Sequence, residues 1–288
     1  MFNKRLLEPI KGEIMKMNGF YLLLENKNPS GSIKFRPALE MFNQINKEHN
    51  LQKSDTIIET TSGNMGIALA YICDYYNINC VIVMPEGSKE KIDRLKKYHA
   101  EVILTDKEKG ISYSREIAEE LAIKNGYYYL NQFHNVNNPK GYYKLADEII
   151  KKFNHIDYFI CGMGTGGCIT GIGKKLKEHY ENIKIIGIEP EESAYITNNE
   201  IKSHLIQGIG MTVKSDFFDI NLIDNIELVK GDNVIEKTKE LYKLGYDIGI
   251  SSACNIIVCE KYINKYPDKI IVSVVHDGID KYLSDLNV

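Results

Sequence analysis

From residue 55 to residue 275 the chain alternates short apolar runs with stretches of helical period. This alternation limits the fold more than any other feature of the sequence. Strands separated by whole helices cannot return through tight hairpins, so they lie parallel with helices covering both faces of the sheet. Strands are predicted at 55–59, 79–84, 100–104 and 127–130, with helices at 64–73, 89–99 and 112–125. This block reads as one compact α/β unit. A second series follows, with helices at 141–153, 170–180, 233–244 and 253–266 and strands at 158–161, 184–188, 227–229 and 269–275. Residues 193–224 carry no period and read as a long, partly irregular connection, a type of segment that often holds site loops. The 288 residues suffice for one large or two medium α/β domains.

Charge narrows the partners. The net charge is −3, acids and bases are spread along the chain, and no basic face or tail stands out. Neither nucleic acid nor an anionic membrane is therefore an expected partner. Met1-Phe2-Asn3-Lys4-Arg5 has no apolar signal core, and no apolar run is long enough to span a bilayer, so a cytoplasmic protein is expected. Cysteines 73, 80, 161, 168, 254 and 259 form no C-x-x-C pair and sit mostly in apolar runs. They read as buried free thiols in a reducing compartment. The seven histidines offer no metal-ligand pair at helical spacing, so no metal site is expected.

Three loops carry chemistry. Asn28-Pro29-Ser30-Gly31-Ser32-Ile33-Lys34 follows the apolar run Phe20-Tyr21-Leu22-Leu23-Leu24 and precedes a predicted helix with Arg36-Pro37 at its head. Lys34 is thus held at a strand-to-helix junction, where a desolvated amine can attack a carbonyl. Most lysines are simply solvated, so this reading needs the rest of a carbonyl cofactor's site. Gly162-Met163-Gly164-Thr165-Gly166-Gly167 also joins a strand to a helix, and its glycines let the backbone approach a phosphate at the helix N-terminus. The same glycines fit a dinucleotide fingerprint, with Glu189 at the end of the next strand as a ribose-binding acid. Glu59-Thr60-Thr61-Ser62-Gly63-Asn64 is a third strand-to-helix loop. Its hydroxyls and amide suit a carboxylate, although one capping residue would suffice to start the helix.

Together, and in this order, these stretches resemble the cysteine synthase / cystathionine β-synthase family of pyridoxal-phosphate enzymes, of the tryptophan-synthase-β fold type (fold type II). Further matching passages are Met84-Pro85-Glu86, Gln132-Phe133, Asn138-Pro139, Ile206-Gln207-Gly208-Ile209-Gly210 and Gly249-Ile250-Ser251-Ser252. The resemblance implies two α/β domains, each a mostly parallel twisted sheet flanked by helices. One is a small domain over 36–133; the other is a large cofactor-binding domain made of 1–35 with 134–288. It implies pyridoxal 5′-phosphate held by Lys34 as a Schiff base, Asn64 on the ring hydroxyl, and Gly162, Gly164, Thr165, Gly166, Gly167 and Cys168 around the phosphate. Thr61, Ser62, Met65, Gln132 and Gly208 would meet a small-molecule amino acid substrate, and the enzyme would be a homodimer.

The implied reaction is loss of the Cα proton, expulsion of a β-substituent to leave an aminoacrylate, and addition of a nucleophile. Sulfide would be leaving group or nucleophile: L-cysteine giving hydrogen sulfide and a serine-type product, or O-acetylserine giving cysteine. Serine dehydration and diaminopropionate synthesis are alternatives on the same fold, and a dinucleotide-dependent oxidoreductase is the alternative from another class. Several positions depart from the family pattern: Phe35 for Asp, Met65 and Cys168 for Thr, and Met211 where a small residue is common. Gly278 replaces the serine that meets the pyridine nitrogen, which leaves Asp277 as a substitute partner. Asp232 reads first as the N-cap of the 233–244 helix, and second as a base for water addition.

Overall fold

The computed structural model describes residues 6–61, 63–87 and 89–287. The chain opens with a hairpin of β1 (Ile14–Met17) and β2 (Phe20–Leu24). Its two-residue turn is Asn18-Gly19, with φ of +46° and +95°; both residues lie in the left-handed region that such turns require. After Lys34 come α1 (Phe35–His49), β3 (Thr56–Thr60), α2 (Asn64–Tyr76), β4 (Asn79–Pro85) and α3 (Lys89–Lys97). Then follow β5 (Glu101–Thr105), α4 (Gly110–Asn125), β6 (Tyr128–Tyr129) and α5 (Asn137–Lys140). The rest runs α6 (Tyr143–Lys152), β7 (Tyr158–Gly162), α7 (Gly167–His179), β8 (Lys184–Pro190), α8 (Tyr195–Asn198) and β9 (Asn225–Val229). It closes with α9 (Gly231–Lys243), α10 (Ile250–Lys265), β10 (Ile271–Val275) and α11 (Leu283–Leu286).

These elements fall into two compact units. The first holds the described residues up to Pro9 together with Lys34–Gly141. Its sheet has the order β5-β4-β3-β6, every pair parallel. Alternation along the strands sends Ile57, Cys80, Ile82 and Met84 into one apolar layer, under α1 and α2, and Ile58, Val81 and Val83 into the other. Helix α1 buries Phe35, Ala38, Leu39, Met41, Phe42 and Ile45 at helical spacing and ends at Asn50 in the left-handed conformation.

The second unit holds Ile10–Ile33 and the chain from Tyr142 onward. Its sheet order is β1-β2-β10-β7-β8-β9, antiparallel only at the hairpin. Apolar residues again line both faces, Ile160, Ile271 and Val275 on one side and Phe159, Cys161, Val272 and Val274 on the other. The fold is therefore α/β with mostly parallel sheets flanked by helices.

Several boundaries differ from the sequence expectation. Residues 6–9 belong with the first unit rather than the second, because Leu7 packs on its core and its N–H donates to Tyr76 Oη at 3.0 Å. The first unit also extends to Gly141, where a β-carbon would stand 2.5 Å from Pro37 Cα in α1. Helices α7, α9 and α10 begin two or three residues earlier than the periodicity predicts. Their first turns are rich in Gly and Ser, which propensity alone places outside a helix. Between 193 and 224 the structure has only α8 and one 3-10 turn, Ile220–Leu222.

Candidate active site

Lys34 is the N-cap of α1, with its backbone already helical at φ −66° and ψ −15°. Its carbonyl accepts the N–H of Ala38 at 3.1 Å. On the other side of the peptide, Ile33 N–H donates to His276 O at 2.7 Å, and Ser32 bridges to Asp277. The buried Lys281 Nζ donates to Gly31 O at 2.6 Å and clamps the same loop. The lysine backbone is thus fixed from both ends, while its side chain is only half-buried. An amine so placed has a defined reach toward a carbonyl.

In the first unit, β3 leads through Thr61 into α2. Thr61 Oγ1 accepts Gly63 N–H at 3.1 Å, and Thr61 N–H donates to Val83 O at 3.2 Å. Asn64 is the first residue of α2. The expected carboxylate-binding Ser62 lies outside the described residues. Glu59, to which the sequence reading assigns no role, organises this loop. It is fully buried, and its oxygens accept from Thr60 N at 2.9 Å, Gln132 N at 3.2 Å and Gln132 Nε2 at 3.5 Å. Burial outweighs these donors and raises its pKa to about 8. Gln132 Nε2 also donates to Thr60 O at 3.1 Å. Gln132 therefore shapes the loop, and meeting a substrate carboxylate requires exchange of one of these bonds. Met65 was expected at the substrate; its side chain packs instead within the apolar core of this unit, 1% exposed.

In the second unit, the glycine loop runs from β7 into α7. Gly166 is the N-cap, with φ +83°, and a β-carbon there would stand 2.5 Å from Phe218 Cδ2. A β-carbon on Gly164 would stand 2.8 Å from Gly208 O. The 206–210 segment lies directly on the loop, with Gly210 N–H donating to Met163 O at 2.8 Å. Thr165 Oγ1 accepts Gly167 N–H at 3.3 Å, and Thr165 O accepts from Ser215 Oγ at 2.7 Å. The first-turn amides of α7 have no intrahelical partners and carry the positive end of the helix dipole. Cys168 stands in that turn, 8% exposed, and burial pushes its thiol pKa well up. A neutral thiol is a weak donor in place of a hydroxyl.

Two expected roles change. Asp232 is not an N-cap: α9 starts at Gly231, two residues before the expected 233, with Lys230 in that place, and Gly231 N–H is taken by Glu192 Oε1 at 2.8 Å. Asp232 is exposed in the first turn. Glu189, the acid a dinucleotide site would need, is fully buried and committed within the unit. It accepts from Ile196 N at 2.8 Å, Thr197 N at 3.0 Å and Thr197 Oγ1 at 2.8 Å. Spending the carboxylate on the head of α8 leaves none for a ribose, which removes the dinucleotide alternative.

Gly278, which the resemblance sets at the pyridine nitrogen, is closely hemmed in. A side chain on Gly278 would place its β-carbon 2.4 Å from Asp247 Oδ1. Asp247 holds this space by accepting Ile279 N–H at 3.0 Å and Asn26 Nδ2 at 3.1 Å. Asp277 is fully buried, and its Oδ2 accepts from Tyr282 Oη at 2.5 Å. All six cysteines are free and buried. Among the described residues no helix is long and apolar enough to cross a membrane.

The comparisons with known proteins agree with this geometry. Residues 7–277 match the family model described as pyridoxal-phosphate dependent enzyme. The chain belongs to this family, in its cysteine synthase and cystathionine β-synthase branch. Cysteine synthase B of Campylobacter jejuni is 36% identical, over 89% of this chain and 87% of the relative. A hydrogen sulfide-producing enzyme of Fusobacterium nucleatum superposes with a TM-score of 0.89 at 39% identity, covering 94% of this chain and 96% of that one. The O-acetylserine-dependent cystathionine β-synthase of Helicobacter pylori gives a TM-score of 0.89 at 32% identity, covering 95% and 94%. The cofactor is pyridoxal 5′-phosphate, and the residues fit it. The half-buried Lys34 has the chemistry an aldehyde takes, and, within the second unit, the head of α7 offers amide donors of the kind a phosphate takes.

Proposed function

We propose that the chain catalyses β-replacement or β-elimination on L-cysteine or an O-activated L-serine, with sulfide as leaving group or nucleophile. The observation that carries this reading is the placement of Lys34. It heads α1, one residue after Ile33, whose N–H donates to His276 O, in a chain that matches cysteine synthases over 89% of its length. The bound cofactor supplies the electron sink that stabilises negative charge at Cα. Lys34 holds the cofactor and moves the proton at substrate Cα. Asn64 orients the cofactor ring through its hydroxyl. Gly162, Gly164, Thr165, Gly166, Gly167 and Cys168 bind the phosphate, mostly through backbone amides. Thr61, Ser62, Gln132 and Gly208 orient the amino acid, and Asp277 takes the ring nitrogen that Gly278 cannot reach. Met65 enters this set through the backbone at the head of α2, since its side chain is in the core.

Asp232, exposed in the first turn of α9, is the base we assign to water when serine is the product. We place the enzyme in the cytoplasm as a homodimer. Family resemblance supports the dimer, and light scattering tests it. The reaction is tested by the visible spectrum of the purified protein, before and after L-cysteine or O-acetyl-L-serine, with sulfide assayed alongside. A yellow protein that loses its band in Lys34→Ala and shifts it with one of these amino acids supports the reading. A protein that stays colourless after incubation with pyridoxal phosphate overturns it.

A further inference from the structure

Cys161 at the end of β7, Cys168 in the first turn of α7 and His276 just after β10 turn their ligand atoms toward one another in the interior of the second unit. All three residues are buried, and these atoms lie within 4.8 Å of one another. Sequence spacing hides the group: seven residues separate the cysteines, and His276 is more than a hundred residues away. The expectation of no metal-ligand set, drawn from helical spacing, therefore misses a set assembled in space. No role in the proposed reaction uses the Cys161 thiol or the His276 imidazole, and Cys168 meets the phosphate through its backbone N–H in the first turn of α7, which leaves its thiol to this group.

We propose that Cys161, Cys168 and His276 form a binding site for a thiophilic d10 cation of the Zn2+ class, with two thiolates, one imidazole and one open position. Cys161 Sγ stands 3.6 Å from Cys168 Sγ and 3.5 Å from His276 Nε2. Tetrahedral zinc with ordinary bond lengths separates two thiolate sulfurs by about 3.8 Å, and a sulfur and an imidazole nitrogen by about 3.6 Å. Both separations from Cys161 thus lie within about 0.2 Å of that geometry, and the remaining one, between Cys168 and His276, is no more than 4.8 Å. The imidazole is already oriented. His276 Nδ1 lies 3.2 Å from Ser251 Oγ, and His276 N–H donates to Ser252 Oγ at 2.8 Å. A proton on Nδ1 shared with Ser251 leaves the Nε2 lone pair facing the sulfurs, the outer-shell arrangement of metal-bound histidines.

Charge and hardness select the ion. Two thiolates cancel a divalent cation, so the buried site is neutral once loaded, with two protons released on binding. The three side chains offer no oxygen, and a carbonyl such as Gly162 O, which accepts from Cys161 Sγ at 3.5 Å, does not make the oxygen shell that magnesium and calcium take. The two cysteines flank the glycine loop, so a bound cation closes residues 161–168 into a ring.

The alternative is a chain of neutral thiols hydrogen-bonded to the imidazole, and the two arrangements differ in a direct readout. Holoenzyme freed of small thiols and metals is titrated with Cd2+, and the thiolate-to-metal absorption in the ultraviolet is followed. The expected result is saturation at one ion per chain. Cys161→Ser and His276→Gln should each weaken binding by more than about 100-fold, and Ser251→Ala by about 10-fold. Cys259→Ser, a buried thiol on the other face of the sheet, should leave the titration unchanged. Absence of the band, or a band that survives Cys161→Ser, overturns the proposal. If the variants do not fold, thiol alkylation of the unaltered holoenzyme under mild denaturation decides it. Zn2+ should slow labelling of Cys161 and Cys168 but not of Cys259; equal labelling overturns the site. None of these readouts depends on which amino acid the enzyme consumes.

Discussion

Replacing Glu59 with glutamine tests the electrostatics of the carboxylate loop. The carboxyl group is fully buried at the end of β3, and burial raises its pKa from the ordinary 4.5 to about 8. The sign follows from proton binding. Between pH 4.5 and 8 the folded chain holds a proton on Glu59 that the unfolded chain has released, so stability falls as pH rises. The stabilisation is fully present below about pH 4.5 and is lost through pH 8. At 1.36 kcal/mol per pH unit, the whole span amounts to about 5 kcal/mol. Glutamine is neutral throughout and removes this slope. It also turns an NH2 group toward one of the two backbone donors that Glu59 now accepts from, Thr60 N or Gln132 N. That mismatch costs about 1–3 kcal/mol at every pH. Urea unfolding of holoenzyme and variant from pH 5 to pH 9 should therefore give curves that cross, with the variant less stable at pH 5 and more stable at pH 9. The stability difference should change by about 1 kcal/mol per pH unit between 5 and 8. Parallel curves would refute the buried, protonated carboxyl. Because Glu59 positions Gln132, KM for the amino acid should rise more than kcat falls.

Gly166→Ala should destabilise the second unit by about 2–4 kcal/mol, since it forces a side chain to φ +83° and against Phe218. Cofactor titration should show weaker binding as well. Lys281→Met removes the clamp on Gly31 O and leaves that half-buried carbonyl without the ammonium. A melting temperature lower by several degrees is expected, with slower recovery of cofactor absorbance. Asp232→Asn should leave the cofactor spectrum intact and slow serine formation selectively; unchanged serine output from L-cysteine would remove the base role.

Much of this architecture is legible in the sequence, because parallel strands buried on both faces leave continuous apolar runs such as Cys80-Val81-Ile82-Val83-Met84. The β1 strand is missed because Ile14-Met15-Lys16-Met17 is short and interrupted by a lysine. Its available signal is Asn18-Gly19, a hairpin pair with a physical reason. Lys34, the glycine loop and the Thr61 loop are readable because strand-to-helix junctions concentrate Gly, Ser and Thr. Glu59, Lys281 and the Cys161–Cys168–His276 group are not readable in that way. Each depends on partners distant in sequence that only the sheet order brings alongside: Gln132 for Glu59 and Gly31 for Lys281.

Three of the positions that the resemblance marks as departures, Phe35, Met211 and Gly278, are tightly packed against their neighbours in the structure. Phe35, where the family has an acid, is fully buried and packs edge-to-face on Tyr71 at 5.9 Å. Met211 fills the volume beside Gly166, with Cε 2.7 Å from where a β-carbon would stand. Gly278 is the clearest case, since Asp247 occupies the place of its side chain. This gives a prediction that separates erosion from compensation. Gly278→Ser alone introduces the residue the resemblance implies there but drives its β-carbon to 2.4 Å from Asp247 Oδ1, and should cost about 1–3 kcal/mol. Asp247→Ala alone frees Ile279 N–H and Asn26 Nδ2 to water and should cost about 1 kcal/mol. If the two positions are compensated, the double variant is more stable than the sum of the single changes by at least about 1 kcal/mol. It should also regain a hydroxyl for the cofactor nitrogen, read as a shift of the visible band. Additive costs would show that Gly278 and Asp247 changed independently, and that the pyridine-nitrogen site of this enzyme has degraded rather than been rebuilt.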